Sequence, residues 1–289
     1  MKRKIASVLL LITSILITIE YFGNILKNDK IITINNKNIE ENLLLEQYII
    51  GVVACEMPAL YEEEALKSQA IASRTYALYK ANNNMSLLTT TDDQCYITEE
   101  EMKEKWKKDF EKYYSKIKKI VNETKSIVMY KEEKLFKSFY FSTSNGMTEE
   151  SQYVFKEENL KSVESPWDKN SKNYKVETIY SKKDLVKKLG NFNIIEVKSR
   201  NNTNHIEYIK VDDKTYTGIE FRKLIGLRST DFTIESKEDN YIFTTYGYGH
   251  GVGMSQYGAN ELAKLGYNYE YILNYFYSGV EFKNIMYNL

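Results

Sequence analysis

Tyr246-Gly247-Tyr248-Gly249-His250-Gly251-Val252-Gly253-Met254-Ser255-Gln256-Tyr257-Gly258-Ala259 holds five of the 13 glycines of this 289-residue chain and one of its two histidines. An apolar run rich in β-formers, residues 241–246, precedes it. Residues 255–265 behind it have helical spacing. The local order is therefore strand, glycine loop, helix. Alternating glycines let a backbone bend through positive φ and come close to something else. A loop of this kind before a helix N-terminus suits a ligand there. The phosphate loops fit poorly: Ala259 follows Gly258 where the P-loop pattern needs Lys, and no βαβ alternation surrounds the glycines. A tight structural loop is the alternative. Mixed helices and strands without βαβ order make the fold class α+β. The expected architecture is an N-terminal membrane-anchor helix, then a mixed helix and antiparallel-sheet domain with a smaller inserted lobe.

Charge and length exclude several classes. The chain is 43% hydrophobic with 40 basic and 40 acidic side chains. Lys2, Arg3 and Lys4 stand against Glu20 in residues 1–23, so 37 basic and 39 acidic residues remain beyond them, a net −2. A near-neutral body lacks the basic stripe of a nucleic-acid binder. The 25 tyrosines offer rings that can stack on sugars, although most such rings pack in cores. Two cysteines, Cys55 and Cys95, are too few for a disulfide framework or a four-cysteine zinc site. Inert thiols are the expected reading. One bridge between them is available in an oxidising compartment, and Cys95 beside Asp92 and Asp93 is a candidate metal ligand.

The basic start precedes an apolar run at residues 5–19 with only Ser and Thr interrupting it. This is an n-region and an h-region. Glu20, Tyr21 and Phe22 stand where a cleavage site would need small residues. Residues 1–23 are therefore expected to be an uncleaved signal anchor, with the chain from about Asn24 outside the cytoplasm. Residues 24–41 read as a tether or an edge strand, and residues 42–289 as the main domain.

Residues 43–57 have a helical stripe of Leu45, Ile49, Val52 and Val53. Continued, the stripe lands on Glu56, and Pro58 ends the helix. A carboxyl on an apolar stripe in the last turn meets both burial and an unfavourable helix dipole. Both push its pKa up, which suits a general acid. Residues 63–80 form a second helix, where Arg74 stands among alanines and is expected to pair with a carboxylate or with ligand oxygens. Residues 99–121 read as one long helix. Residues 126–130 and 134–141 read as paired strands, ending in the hydroxyl-rich turn Ser142-Thr143-Ser144-Asn145-Gly146. Residues 164–170 look like an internal boundary that opens a smaller lobe, about 165–240. There Ser181 and Asp184 cap a helix that Gly190 closes. His205 sits at a turn and is expected to be exposed and uninvolved.

Two separated stretches resemble one family. Gly51-Val52-Val53-Ala54-Cys55-Glu56-Met57-Pro58 with Glu64 through Leu78, and Gly249 through Ala259, are similar to the stage II sporulation protein D family. Residues 139–146 and 221–232 resemble its middle segments, so the resemblance runs from about residue 40 to the end. It implies a membrane-anchored lytic transglycosylase that cleaves peptidoglycan glycan strands during engulfment in sporulation. It further implies a preference for strands stripped of stem peptides, and a sporulation amidase and a membrane scaffold as partners. The family's catalytic carboxyl falls on Glu56 and its arginine on Arg74. Ser142, Thr143, Ser144, His250, Ser255 and Gln256 are the expected substrate-binding residues, with the glycine loop as a wall of the sugar site. Phe141 stands where many relatives carry His, and Cys55 where a small residue is usual. Some relatives bind zinc near the position of Cys95. No His accompanies Cys95 here, so no cofactor is expected. The rival reading is a non-catalytic, peptidoglycan-binding enhancer of a cell-wall amidase.

Overall fold

The computed structural model describes residues 30–36, 39–157 and 160–285. The chain divides into two compact units. One comprises the residues up to Leu60, Ser73–Phe136 and the residues from Glu281 on; the other comprises Tyr61–Ala72 and Lys137–Val280. Residues 1–23, the expected anchor, lie outside the described residues. No helix among the described residues is long and apolar enough to cross a membrane.

The first unit starts with an antiparallel hairpin, Ile31–Asn36 against Ile39–Leu44. From Ile31 on, the stretch read as a tether or edge strand is therefore strand. Its alternation puts Ile32 and Ile34 in the core and leaves Ile31 exposed. The chain runs straight on into the helix Leu45–Glu56, whose first amide is held by the Lys30 carbonyl at 2.7 Å. Leu45, Tyr48, Ile49, Val52 and Val53 are all fully buried, so the stripe is core. The helix stops because Pro58 drives Met57 into an extended conformation, φ −118° and ψ 146°.

The helix expected over residues 99–121 is two helices, Glu99–Trp106 and Phe110–Glu123, joined by a 3-10 turn. Lys107 takes a positive φ of 49° at the join. No Gly or Pro announces that break, and Met102, Phe110, Ile117 and Val121 stay buried across it. The stripe was therefore visible and the interruption was not. The strand Ile127–Tyr130 does not pair with residues 134–141. Glu132 and Glu133, both at positive φ, make a turn closed only by a Lys131–Lys134 bridge. The strand's antiparallel partner is Glu281–Asn284, from the far end of the chain.

In the second unit the strands Lys175–Ser181, Asn240–Tyr246 and Phe232–Lys237 form an antiparallel sheet with Asn240–Tyr246 in the centre. A second antiparallel sheet joins Ile195–Arg200, Ile206–Val211 and Lys214–Thr217. The helix Lys182–Leu189 starts at Ser181, whose side chain accepts from the Asp184 amide, and ends at Gly190. Leu185, Ile209, Phe221, Phe232 and Phe243 form the fully buried centre of the apolar cluster these elements share. Residues 164–170, read as a boundary, lie inside this unit. They contain the 3-10 helix Pro166–Asn170, and Asp168 there is fully buried. The helices Gln256–Lys264 and Tyr269–Tyr277 follow the glycine loop. They are tied to the start of the helix Glu63–Asn82: Asn260 Oδ1 accepts from the Glu62 amide and Glu64 Oε2 from the Tyr269 amide, each at 2.8 Å. Mixed helices and antiparallel sheets are the α+β class read from the sequence.

Candidate functional site

Glu56 is half-buried at the last position of its helix, in the first unit. A segment following Leu87 folds back over this helix and builds the surroundings of the carboxyl. Gln94, fully buried, accepts from Tyr48 Oη at 3.0 Å and donates to the Ser73 carbonyl at 3.2 Å. Tyr96 stacks on Tyr48 with ring centroids 5.4 Å apart. Gly51 makes room for it: a Cβ there would lie 2.3 Å from the Tyr96 ring. The Cys95 amide then donates to Glu56 Oε1 at 2.7 Å. That bond orients the carboxyl.

The two cysteines are not the inert thiols expected. Cys55 and Cys95 form a disulfide, with Cα atoms 5.6 Å apart. The bridge ties the residue before Glu56 to the residue whose amide holds Glu56. Their 40-residue separation in sequence hid this, because only the docking of the segment on the helix brings them together. A sulfur in a bridge is not the thiolate a metal needs. Among the described residues, no group of three or more His, Cys, Asp or Glu is arranged to hold a metal. Lys105, which the sequence reading missed, donates to the Ala54 carbonyl at 2.8 Å at the helix end. Burial lowers its pKa, and the negative charge of Glu56 acts in the opposite direction.

Arg74, also in the first unit, is fully buried. Of its two expected partners it meets the carboxylate. Nε donates to Glu46 Oε1 at 2.9 Å and Nη2 to Oε2 at 2.6 Å. Nη1 also donates to the Ile127 carbonyl at 3.1 Å. A bidentate buried pair of this kind locks elements together.

The other expected site residues gather in the second unit, where Met254–Ser255 pairs in parallel with Tyr140–Phe141. Ser142 is half-buried, with its Oγ 3.2 Å from Thr143 Oγ1. Thr143 is buried and pairs through its backbone with Tyr248. Ser144 and Ser255 are buried and donate to the two oxygens of Asp168, at 2.8 and 2.7 Å. Ser165 donates to the same carboxylate. Burial raises the pKa of Asp168, and the three hydroxyls work against that rise. Ser255 also caps its helix by accepting from the Gly258 amide at 3.1 Å. Gln256 is buried and donates to Gln69 Oε1 at 3.2 Å.

His250 is held in a ring of Phe139, Phe141 and Phe155, with centroids 5.2 to 6.0 Å away. Its Nδ1 accepts from the Val252 amide at 3.1 Å, so the neutral ring carries its proton on Nε2. Burial lowers its pKa to about 3. The glycines around it make room for the chain itself. A Cβ at Gly253 would lie 2.0 Å from the Phe139 carbonyl oxygen, and one at Gly247 would lie 2.8 Å from that of Thr143. Both residues are at positive φ. His205 is buried rather than exposed: its Nδ1 lies 2.6 Å from Thr230 Oγ1 and 4.0 Å from Glu149 Oε2. Glu149, itself buried, donates its amide to the Gly251 carbonyl at 2.7 Å, which connects the cluster to the loop. Asp168 and Glu149 were missed. A buried carboxylate in a polar stretch is recognisable only by the hydroxyls the fold brings to it.

Residues 33–130, which contain Glu56, Arg74 and Cys95, match the family model described as "SpoIID: Stage II sporulation protein". The chain is 36% identical over 256 residues to "Stage II sporulation protein D" of Bacillus subtilis (strain 168), covering 83% of this chain and 75% of that one. The chain belongs to the stage II sporulation protein D family. The protein of the same name from Bacillus amyloliquefaciens is 37% identical over the same share of this chain, and over 74% of its own. "Amidase enhancer" of Bacillus subtilis is more distant, 25% identical over 79% of this chain and 39% of its own. Membership in the stage II sporulation protein D family connects the chain to sporulation.

Proposed function

We propose that the protein is a lytic transglycosylase that cleaves peptidoglycan glycan strands in sporulation, with Glu56 as its one acid and base. The observation that carries this reading is the carboxyl of Glu56, half-buried at a helix end and held by the Cys95 amide at 2.7 Å. Glycosidases with a water nucleophile use two carboxyls. Here the C6 hydroxyl of the sugar is the nucleophile, so one suffices. Glu56 protonates the glycosidic oxygen as the bond from C1 breaks. The C6 oxygen then bonds to C1, and its proton passes to the Glu56 carboxylate. The product ends in a 1,6-anhydro sugar, and Glu56 regains the proton it gave. The Cys95 hydrogen bond fixes the direction of the carboxyl for both proton transfers.

In this reading Ser142 and the rim of the glycine loop meet the glycan. Thr143, Ser144, Ser255, Gln256 and His250 hold that part of the second unit in shape from within, and Arg74 holds the first unit together through Glu46. Residues 1–23 anchor the chain in the membrane and the rest works outside the cytoplasm, where a Cys55–Cys95 bridge persists. The substrate is glycan freed of stem peptides, so an amidase acts beforehand; a membrane scaffold is the further partner.

The distant relative named amidase enhancer supports a second reading, a non-catalytic enhancer. One experiment separates the two. Peptide-free glycan strands are digested with the protein and with Glu56→Gln, and the products are weighed. The expected result is anhydro-ended fragments from the parent and a drop of at least about 100-fold in the variant, as for loss of a general acid. Hydrolytic reducing ends, or undiminished cleavage by Glu56→Gln, would sink the mechanism.

A further inference from the structure

A cavity of about 290 Å³ opens in the second unit, and neither Glu56 nor any other residue expected to bind substrate lines it. Its walls come from separate stretches: Asn145 of the hydroxyl-rich turn, Asn202 and Asn204 of the turn before His205, Asp231, and the two tyrosines Tyr174 and Tyr246. The floor is a buried carboxylate. Asp231 is 3% exposed; its Oδ2 accepts from Asn145 Nδ2 at 2.8 Å, and its Oδ1 from Asn204 Nδ2 at 3.0 Å and Arg200 Nη1 at 3.2 Å. Asn145 Nδ2 also donates to the Thr203 carbonyl at 2.7 Å, and Tyr174 Oη to the Asn145 carbonyl at 3.3 Å. Asn204 sits at a positive φ of 69° to reach its place. Burying the Asp231 carboxylate beside a half-buried Arg200 and fixing two amides around it is costly for stability alone. At the edge of an open polar cavity the same arrangement gives a rigid, pre-organised wall.

The chemistry of that wall selects a ligand class. The charge of Asp231 is matched by Arg200, so the lining offers no net charge to a phosphate or an ammonium group. It offers amide donors and acceptors beside tyrosine rings, which meet edge to face with centroids 5.9 Å apart. Amides pair with hydroxyl and acetamido groups, and an aromatic ring covers the apolar face of a pyranose. A cavity near the small end of ligand sites, about 300 Å³, takes one ring rather than a chain. Free stem peptides bring terminal charges that the wall does not answer.

We propose that this cavity is a subsite for a single N-acetylated pyranose, built from Asn145, Asn202, Asn204, Tyr174 and Tyr246 over the Asp231–Arg200 pair. It rests on the glycan reading above and extends it to a recognition point with no part in the bond cleavage. The subsite grips a neutral, N-acetylated ring and gives no grip to a peptide.

The test uses the full chain carrying Glu56→Gln, so that nothing is turned over. A short β-1,4-linked N-acetylglucosamine oligomer is titrated in, and the side-chain amide signals of Asn145, Asn202 and Asn204 are followed by NMR. The expected result is that all three move with one binding constant. Asn202→Ala, on the exposed rim, and Tyr174→Ala should each weaken that constant about tenfold, and Tyr174→Phe, which keeps the ring, should weaken it less. Unmoved amides, equal affinity in all variants, no oligomer binding, or the same signals moving with a free stem peptide instead would each overturn the subsite. Binding and cleavage fail separately. A parent chain that cleaves no glycan yet shows the shifts loses the reaction and keeps the subsite. Cleavage with unmoved amides does the reverse.

Discussion

Arg74 carries its guanidinium with no exposed surface, and Glu46 meets it through two nitrogens. Removing one partner of such a pair leaves a charge buried alone, which costs about 3–5 kcal/mol. Arg74→Ala is therefore expected to lower unfolding free energy by that amount in a denaturant titration. A variant as stable as the parent would show that the pair holds nothing together. The sequence permitted either a carboxylate or a ligand as the partner of Arg74, because the alanines around it say only that it is enclosed. Glu56 was more legible: the apolar stripe and Pro58 both fall where the structure has them. Its amide partner was not, since Cys95 reaches it only through the fold. His205 shows the limit of reading a turn as surface. Its neighbours in sequence are polar, but Thr230 and Glu149 close around it from elsewhere in the second unit.

Elements built on local signals match the sequence reading. The helix Lys182–Leu189 has its Ser181 cap and its Gly190 end where the residues announce them. Elements defined by distant partners do not. The strand Ile127–Tyr130 waits for Glu281–Asn284, and a hairpin turn beside it pointed to the wrong neighbour. The segment after Leu87 is an element of the same distant kind, and its attachment is covalent. Closing a loop across a separation of 40 residues removes unfolded-state entropy corresponding to roughly 4 kcal/mol in the chain-entropy model. Reduction, or the double change Cys55→Ser and Cys95→Ser, should lower the thermal midpoint accordingly. If scanning calorimetry finds equal midpoints with and without reductant, the bridge contributes no net stability. In the glycine loop, Gly253→Ala places a Cβ against the Phe139 carbonyl at positive φ, so a loss above about 2 kcal/mol is expected by the same calorimetry.

Over the whole molecule, stability should depend on pH through its two histidines, the only ones in the chain. Burial lowers His250 to about 3 and His205 to about 4. Their folded values lie below the ordinary 6.5, so the unfolded chain binds protons that the folded one refuses. Stability is then level above about pH 6.5 and falls as pH drops from there toward 4 and 3. Glu149 and Asp168 act in the opposite sense. Burial raises their pKa, so their contribution is present below the ordinary carboxylate range and is lost as pH rises through the raised values. Urea midpoints measured from pH 7.5 down to 4 should decline, and His205→Asn should flatten the upper part of the decline. An identical profile in the parent and in His205→Asn would contradict the buried, neutral His205. The α+β class, most helices and the succession of strand, glycine loop and helix came through from local pattern. Long-range pairings and buried polar hubs did not, because each depends on residues far apart in the chain. The loop itself bears on heredity. Four of its positions, 247, 249, 251 and 253, are at positive φ and face other parts of the chain at 3.0 Å or less where a Cβ would go. Every coding change there adds an atom with nowhere to sit. A substitution at any of the four is therefore expected to cost stability. New binding preferences must then be written into rims such as Asn202, where a side chain has space.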